Sequence, residues 1–147
     1  MDQGWTTVLL AATAVHAGFQ ATVTVLVYPA LARLPEDAWA RGHAAHTRAI
    51  TPLVAVVYGA LLTTCAGAAV STLRGSQGGA AAVAVWVAVG ATAVVLALTA
   101  TLAAPAHGRL SSGRTEPLVR RLLLADRLRL ACALVALAAA LWATAAG

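Results

Sequence analysis

The stretch Ala80–Ala104, AAAVAVWVAVGATAVVLALTATLAA, contains no charged residue and decides the fold. A membrane-spanning helix needs about 20 consecutive apolar residues, and this stretch exceeds that length. Three further apolar stretches of similar length lie at about residues 5–28, 50–73 and 122–145. We therefore predict an all-α, integral membrane four-helix bundle in which residues 1–147 form a single transmembrane domain.

The composition supports a membrane protein. Hydrophobic residues make up 61% of the chain and charged residues only 10%, whereas soluble domains carry about 25% charged residues. The net charge is +5, and all ten basic residues are arginines that lie beside the predicted spans. Arginines in these positions are suited to lipid head groups, so the expected partner is the lipid bilayer and not a nucleic acid.

The distribution of the arginines predicts an orientation. The first loop, the third loop and the start of the fourth span together carry nine arginines, whereas the second loop carries only Arg74. Loops rich in Lys and Arg stay in the cytoplasm. We expect a multi-pass protein of the cell membrane with both termini on the extracytoplasmic side.

The first loop contains a helix-start signal, because Pro35 is followed by two acidic residues, Glu36 and Asp37. A helix that begins there is amphipathic. One face carries Trp39, His43, His46 and Ile50, and the opposite face carries Asp37, Arg41 and Arg48. We expect a short amphipathic helix at the inner membrane interface, running into the second span near Pro52.

A polar stripe follows one face of the first span, where residues three or four apart are neighbours. Its members are Thr13, His16, Gln20, Thr24 and Tyr28. Polar groups in hydrocarbon are costly, so the stripe is expected to face the bundle interior. It either joins helices by hydrogen bonds or lines a pocket for a small molecule, and the pocket interpretation places His16 at its deep end.

Further polar residues lie near the predicted cytoplasmic ends of the spans. His107 closes the third span, and Asp126 and Arg129 open the fourth. The acid and the arginine form either a simple ion pair or a site for an anionic or phenolic group. His43-x-x-His46 alone is a weak metal motif, so no metal site is predicted. Together these residues are candidates for one cytoplasmic mouth.

Two equivalent positions carry the pattern Pro-Ala-x-x-Arg-Leu. It begins at Pro29 after the first span and at Pro105 after the third. The repeat is either a relic of a duplicated two-helix hairpin or a coincidence of the biased composition.

Five short motifs occur along the chain: His16-Ala-Gly-Phe-Gln20, Tyr28-Pro-Ala-Leu31, His43-x-x-His46-x-Arg48-x-Ile50, Pro105-x-His107 and Asp126-Arg127-x-Arg129. They resemble those of the small four-span membrane proteins grouped with the anthrone oxygenases, whose members usually have Asn in place of Asp126. The resemblance implies a four-helix bundle. For the characterised branch it also implies oxygen-dependent oxidation of a polyketide anthrone to a quinone, with no known cofactor.

A second resemblance involves His16, which precedes Pro29 by about a helix length. The chain is similar in this respect to four-span, haem-associated proteins of the protoporphyrinogen oxidase type. That resemblance implies haem b as a cofactor.

Three functions remain open at this point: an oxygenase or oxidase acting on a hydrophobic, aromatic small molecule, a haem- or metal-binding protein, and a non-catalytic subunit or scaffold that associates with itself or a larger partner. For the enzyme, the catalytic candidates are His16, His46, His107 and Asp126. The substrate-binding candidates are Thr13, Gln20, Thr24, Tyr28, Trp39, His43, Arg48 and Arg129.

Overall fold

A computed structural model describes residues 3–75 and 79–146, and the described chain is all-α. The first span comprises α1 (Gln3–Thr22), a π-helical turn (Val23–Val27) and α2 (Tyr28–Ala32). The second span is one helix, α3 (Glu36–Leu73). The third comprises α4 (Gly79–Leu98), a π-helical turn (Thr99–Ala103) and α5 (Ala104–Ser111), and the fourth is α6 (Glu116–Ala145).

All four long helical segments are candidate membrane spans by length and composition. Their bounds are Gly4–Ala32, Glu36–Leu73, Gly79–Ser111 and Glu116–Ala145. Each contains the corresponding predicted apolar stretch and extends beyond it, mostly at the predicted cytoplasmic end. Hydropathy marks the part of a helix that suits lipid, whereas backbone hydrogen bonds continue into the more polar turns.

The first loop is largely helical. We predicted a short amphipathic helix that runs into the second span near Pro52, and the structure has one continuous helix from Glu36 to Leu73 that includes Pro52. At 1.5 Å per residue this helix is about 57 Å long, which exceeds the hydrocarbon core of about 30 Å. The predicted amphipathic segment is its first part, with Trp39 and His43 buried and Asp37, Arg41 and Arg48 exposed.

The two π-helical turns occupy equivalent places in the first and third spans. In each, the residue before a proline donates its N–H to the carbonyl five residues earlier, Tyr28 to Val23 and Ala104 to Thr99. Proline has no N–H and clashes with the carbonyl four residues earlier, so a widened turn accommodates it. The repeated Pro-Ala-x-x-Arg-Leu pattern therefore accompanies the same local backbone structure twice.

The spans pack in chain order around the bundle. Helix α1 contacts α3 and α6, and α4 contacts α3 and α6. The α4–α6 contact is built from small side chains, which let membrane helices approach closely. The buried alanines are Ala81, Ala84 and Ala88 on α4, and Ala125, Ala133, Ala136, Ala140 and Ala143 on α6. Ala84, Ala88, Ala140 and Ala143 lie in one buried cluster.

Candidate functional site

Polar side chains from all four spans meet inside the bundle, next to the two π-helical turns. They form two groups, which we call the acid network and the histidine cluster. The acid network comprises Gln20, Thr24, Tyr58, Thr99, Asp126 and Arg129. The histidine cluster comprises Tyr28, His43, His46 and His107.

Asp126 is the centre of the acid network and is completely buried. Its Oδ1 accepts a hydrogen bond of 2.6 Å from the Gln20 amide, and its Oδ2 accepts one from the Thr24 hydroxyl. Arg129 lies one turn further along α6, with Nη1 3.4 Å from Oδ1. A buried ion pair needs such additional hydrogen bonds to offset the cost of removing both charges from water.

Arg129 extends the network to the second and third spans. Its Nη2 donates a hydrogen bond of 2.7 Å to the Tyr58 hydroxyl, which lies 3.2 Å from the Thr99 hydroxyl. Tyr58 and Thr99 were not among the predicted site residues. Tyr58 is one of only two tyrosines in the chain and lies within an apolar span, where a phenol needs a partner. A tyrosine within an apolar span was therefore the signal in the sequence that could have identified Tyr58 as a site residue.

His107 is the centre of the histidine cluster. Its Nε2 lies 2.7 Å from the Tyr28 hydroxyl, and its Nδ1 lies 3.3 Å from Nε2 of His43. The His46 ring stacks on the His107 ring at a centroid distance of 6.0 Å, and packs edge-on against Tyr28 at 5.8 Å. The structure therefore brings three of the four predicted histidines together with Tyr28.

Trp39 supports the cluster from the side of the first loop. Its ring stacks on His43 at 5.4 Å, and its indole N–H donates to the Leu110 carbonyl. The guanidinium of Arg114 covers the ring at 5.4 Å, a cation–π contact. Trp39 is buried and holds His43 in place.

A cavity of about 250 Å³, called the inner cavity below, is lined by residues of both the acid network and the histidine cluster. It opens to the surface beside the exposed residues Thr47, Thr51 and Ala104. Its polar lining includes Tyr28, His107 and Arg129, while Phe19, Val23, Ile50 and Val54 supply apolar walls. This mixture of apolar walls and a few convergent polar groups is typical of small-molecule sites.

A second cavity, of about 350 Å³, adjoins the inner one and is called the mouth cavity below. His43, Thr47, Arg48 and His107 are among its lining residues, and Thr47 and His107 also line the inner cavity. The Arg48 side chain, predicted to contact substrate, is therefore placed at the mouth cavity and not at the inner one.

The N-terminal part of the polar stripe, Thr13 and His16, lies outside the inner cavity. His16 and Thr13 are buried, as expected for an interior face, but neither lines that cavity. The Thr13 hydroxyl donates to backbone carbonyls of its own helix. The His16 ring packs edge-on against Tyr58 at 5.4 Å, and its Nε2 has no hydrogen-bond partner among the described residues.

In the described part of the chain, no histidine presents an unpartnered ring nitrogen to the inner cavity as a ligand for a metal or haem b. Within residues 3–75 and 79–146, no group of three or more His, Cys, Asp or Glu side chains is placed to hold a metal ion. Histidine is a common axial ligand of haem iron, and it binds the iron through a free ring nitrogen. His107 lines the inner cavity, but both of its nitrogens already have partners. His16, His43 and His46 do not line it.

No protein-family model matches the chain, and neither a curated protein nor a solved structure shows significant similarity to it. The fold and the site define a chain of four packed apolar helices, all candidate membrane spans, with a polar interior. The comparisons identify no family, so the resemblance to the anthrone oxygenases depends on the short motifs alone.

Proposed function

We propose that this protein is a membrane-embedded oxygenase or oxidase that acts on a hydrophobic, aromatic small molecule. The observation that carries the proposal is the inner cavity, which combines apolar walls with Tyr28, His107 and Arg129. Its volume of about 250 Å³ lies just below the range of about 300–1,000 Å³ for pockets of drug-sized ligands, so the ligand is small.

The proposed reaction begins with removal of a proton from the substrate. His107 is the proposed base because it lines the cavity and because histidine exchanges protons near neutral pH. The proton goes to Nδ1, whose 3.3 Å contact with His43 is the longer of the two and gives way to the substrate. Tyr28, 2.7 Å from His107 Nε2, orients the imidazole. His16 and Asp126 act indirectly, through Tyr58 and Arg129 respectively, and His46 supports the His107 ring by stacking.

Arg129 stabilises the anion that this step creates. A fixed cation in a cavity of low dielectric constant stabilises developing negative charge more strongly than water-exposed groups do. The anion then reduces dioxygen. For an acidic ring methylene, both C–H bonds break, one oxygen atom becomes the carbonyl oxygen and the other leaves as water. This balance requires no external reductant, consistent with the cofactor-free chemistry that the motif resemblance implies.

The test is oxygen uptake by the purified protein in lipid nanodiscs, supplied with a panel of anthrones and naphthols. Product formation is followed by mass spectrometry. We expect substrate-dependent uptake that falls about 10²-fold or more in His107→Ala, the typical loss on removing a general base. Thr101→Val is the matched control, because Thr101 is exposed on the same span and its hydroxyl donates to Ala97 of its own helix.

Two results would contradict the proposal. One is an uptake rate equal to that of empty nanodiscs for every compound. The other is a wild-type rate in His107→Ala, which would exclude His107 as the base.

A further inference from the structure

We infer that the ligand of the inner cavity is an organic anion, an aromatic ring with a carboxylate or phenolate oxygen, and that Arg129 binds this oxygen. The inference deepens the proposed function, since it names the chemical class of the molecule held in the same cavity. It depends on the hydrogen-bond state of Arg129 and on the charges that line the cavity.

The guanidinium of Arg129 is buried, and some of its N–H donors have no hydrogen-bond acceptor among the described residues. The residue is 5% exposed, and its side chain offers five N–H donors. Nη2 donates to Tyr58 at 2.7 Å, and Nη1 makes only a 3.4 Å contact with Asp126. The guanidinium also interacts with the Tyr28 hydroxyl, whereas Nε has no hydrogen-bond partner among the described residues. Leaving a charged donor buried and unpaired is costly, so this group favours a ligand that supplies an acceptor oxygen.

Asp126 is the nearest acid, but it does not supply an acceptor oxygen for the unpaired donors of Arg129. Its two oxygens accept shorter hydrogen bonds from Gln20 and Thr24, which direct the carboxylate towards the first span. The 3.4 Å contact with Arg129 is long compared with the 2.7–2.9 Å of a good charge-assisted hydrogen bond. The guanidinium therefore retains capacity for a second anionic oxygen.

The lining of the inner cavity has one sign of charge. Arg129 is the only arginine among the described residues that line it, and no Asp or Glu is among them. The lining threonines use their hydroxyl protons within their own helices, as Thr47 does with His43 and Thr99 with Val95. An anionic oxygen is thus attracted to one place, beside Arg129.

The rest of the cavity suits an apolar ring. Phe19, Val23, Ile50 and Val54 supply its walls, and burying a ring against them is favourable by roughly 25 cal/mol per Å². A ligand with a single anionic end and an aromatic body matches both parts of the lining.

The experiment measures binding without turnover, using the wild-type protein in lipid nanodiscs and three probes of similar size. These are 2-naphthoate, 2-naphthol and the uncharged 2-methylnaphthalene, with empty nanodiscs to subtract partition into lipid. We expect 2-naphthoate or 2-naphthol to bind at least tenfold more tightly than 2-methylnaphthalene, and the tighter of the two shows which oxygen is preferred. Equal affinity for all three probes would overturn the inference.

A substitution of Arg129 then tests whether this residue binds the oxygen of the probe. Arg129→Lys keeps a positive charge near Asp126 and removes Nε–H, so we expect about tenfold weaker binding of the preferred oxygen probe, with no change for 2-methylnaphthalene. Arg127→Lys, two residues away and exposed, is the matched control and should bind like the wild type. Wild-type affinity of a folded Arg129→Lys variant for the oxygen probe would also overturn the inference. The comparison of probes on the wild-type protein does not depend on whether the variant folds.

The two proposals fail separately. Selective binding of an oxygen probe without any oxidation would contradict only the proposed enzyme. Oxidation together with unselective binding would contradict only the anion site at Arg129.

Discussion

Gln20 and Asp126 are 106 residues apart in sequence, yet the Gln20 amide donates a hydrogen bond of 2.6 Å to Asp126 Oδ1 inside the bundle. Thr24 donates to the other oxygen of the same carboxylate. The first and fourth spans are therefore joined by a buried acid that also compensates the charge of Arg129.

Asp126→Ala is expected to destabilise the protein strongly. The substitution leaves the buried Arg129 charge without its acid, and breaking a buried pair in this way typically costs about 3–5 kcal/mol. The measurement is the free energy of unfolding in mixed micelles, followed by circular dichroism. Asp37→Ala is the control, because Asp37 is exposed at the start of α3 and should change this free energy by less than about 0.5 kcal/mol. Equal stability of the two variants would contradict the structural role of Asp126.

The polar interior shows how far sequence periodicity leads. The stripe on the first span was predicted to face inwards, and Thr13, His16, Gln20 and Tyr28 are all buried. Periodicity assigns a residue to a face but not to a partner. The contact of Arg129 with Tyr58 joins residues 71 apart, and it depends on how the spans are arranged around the bundle. The sequence therefore predicted the polar residues of the first span better than the network they join.

Arg114 connects the third loop to the first. Its guanidinium donates to the carbonyls of Leu34 at 2.9 Å and Ala32 at 2.8 Å, at the end of α2. Lysine cannot reproduce this two-pronged geometry or the stacking over Trp39. We expect Arg114→Lys to increase hydrogen–deuterium exchange of the hydrogen-bonded backbone amides of Arg33, Leu34 and Ala38 on the order of tenfold, since hydrogen bonds to charged groups contribute about 1.5–3 kcal/mol.

Arg120→Lys is the matched control for this exchange experiment. Arg120 is 65% exposed and reaches only Glu116, at 3.6 Å, in a surface pair that contributes about 0–1 kcal/mol. Its exchange pattern over residues 33–38 should equal that of the wild type. An Arg114→Lys variant with the same pattern would show that the third loop does not hold the first.

The helix bounds illustrate a second limit of the sequence. Hydropathy located the four apolar stretches and left residues 29–49 outside them, and only the helix-start signal at Pro35 predicted a helix within that segment. The structure continues helically on both sides of a short turn around Arg33–Pro35. The polar side chains of that segment lower its hydropathy without disfavouring the helix, and Trp39 and His43 bury one face against neighbouring residues. The length of the apolar stretch that suits lipid and the total length of the helix are therefore separate quantities.

The orientation predicted from the arginines is tested with single cysteines in a Cys65→Ala/Cys132→Ala background, since both native cysteines are free thiols. Ala146→Cys reports on the C-terminal end and Ser112→Cys on the third loop, and both positions are exposed. With both termini extracytoplasmic, a membrane-impermeant maleimide should label Ala146→Cys in intact cells and Ser112→Cys only after permeabilisation. The reverse pattern would invert the predicted orientation.

Gly67 is expected to be more sensitive to substitution than Gly59, although both lie on α3. A Cβ added at Gly67 would collide with the six-membered ring of Trp5, whereas one added at Gly59 would meet nothing within 4 Å. Overpacking of this kind costs about 1–3 kcal/mol unless the ring turns away, and alanine by itself favours a helix over glycine by about 1 kcal/mol. Gly59→Ala should therefore leave the free energy of unfolding unchanged or raise it, and Gly67→Ala should lower it. In a background with Trp5 as the only tryptophan, Gly67→Ala should also shift the fluorescence emission maximum of Trp5. Identical stability and emission in the two variants would show that the Trp5 ring does not pack on Gly67.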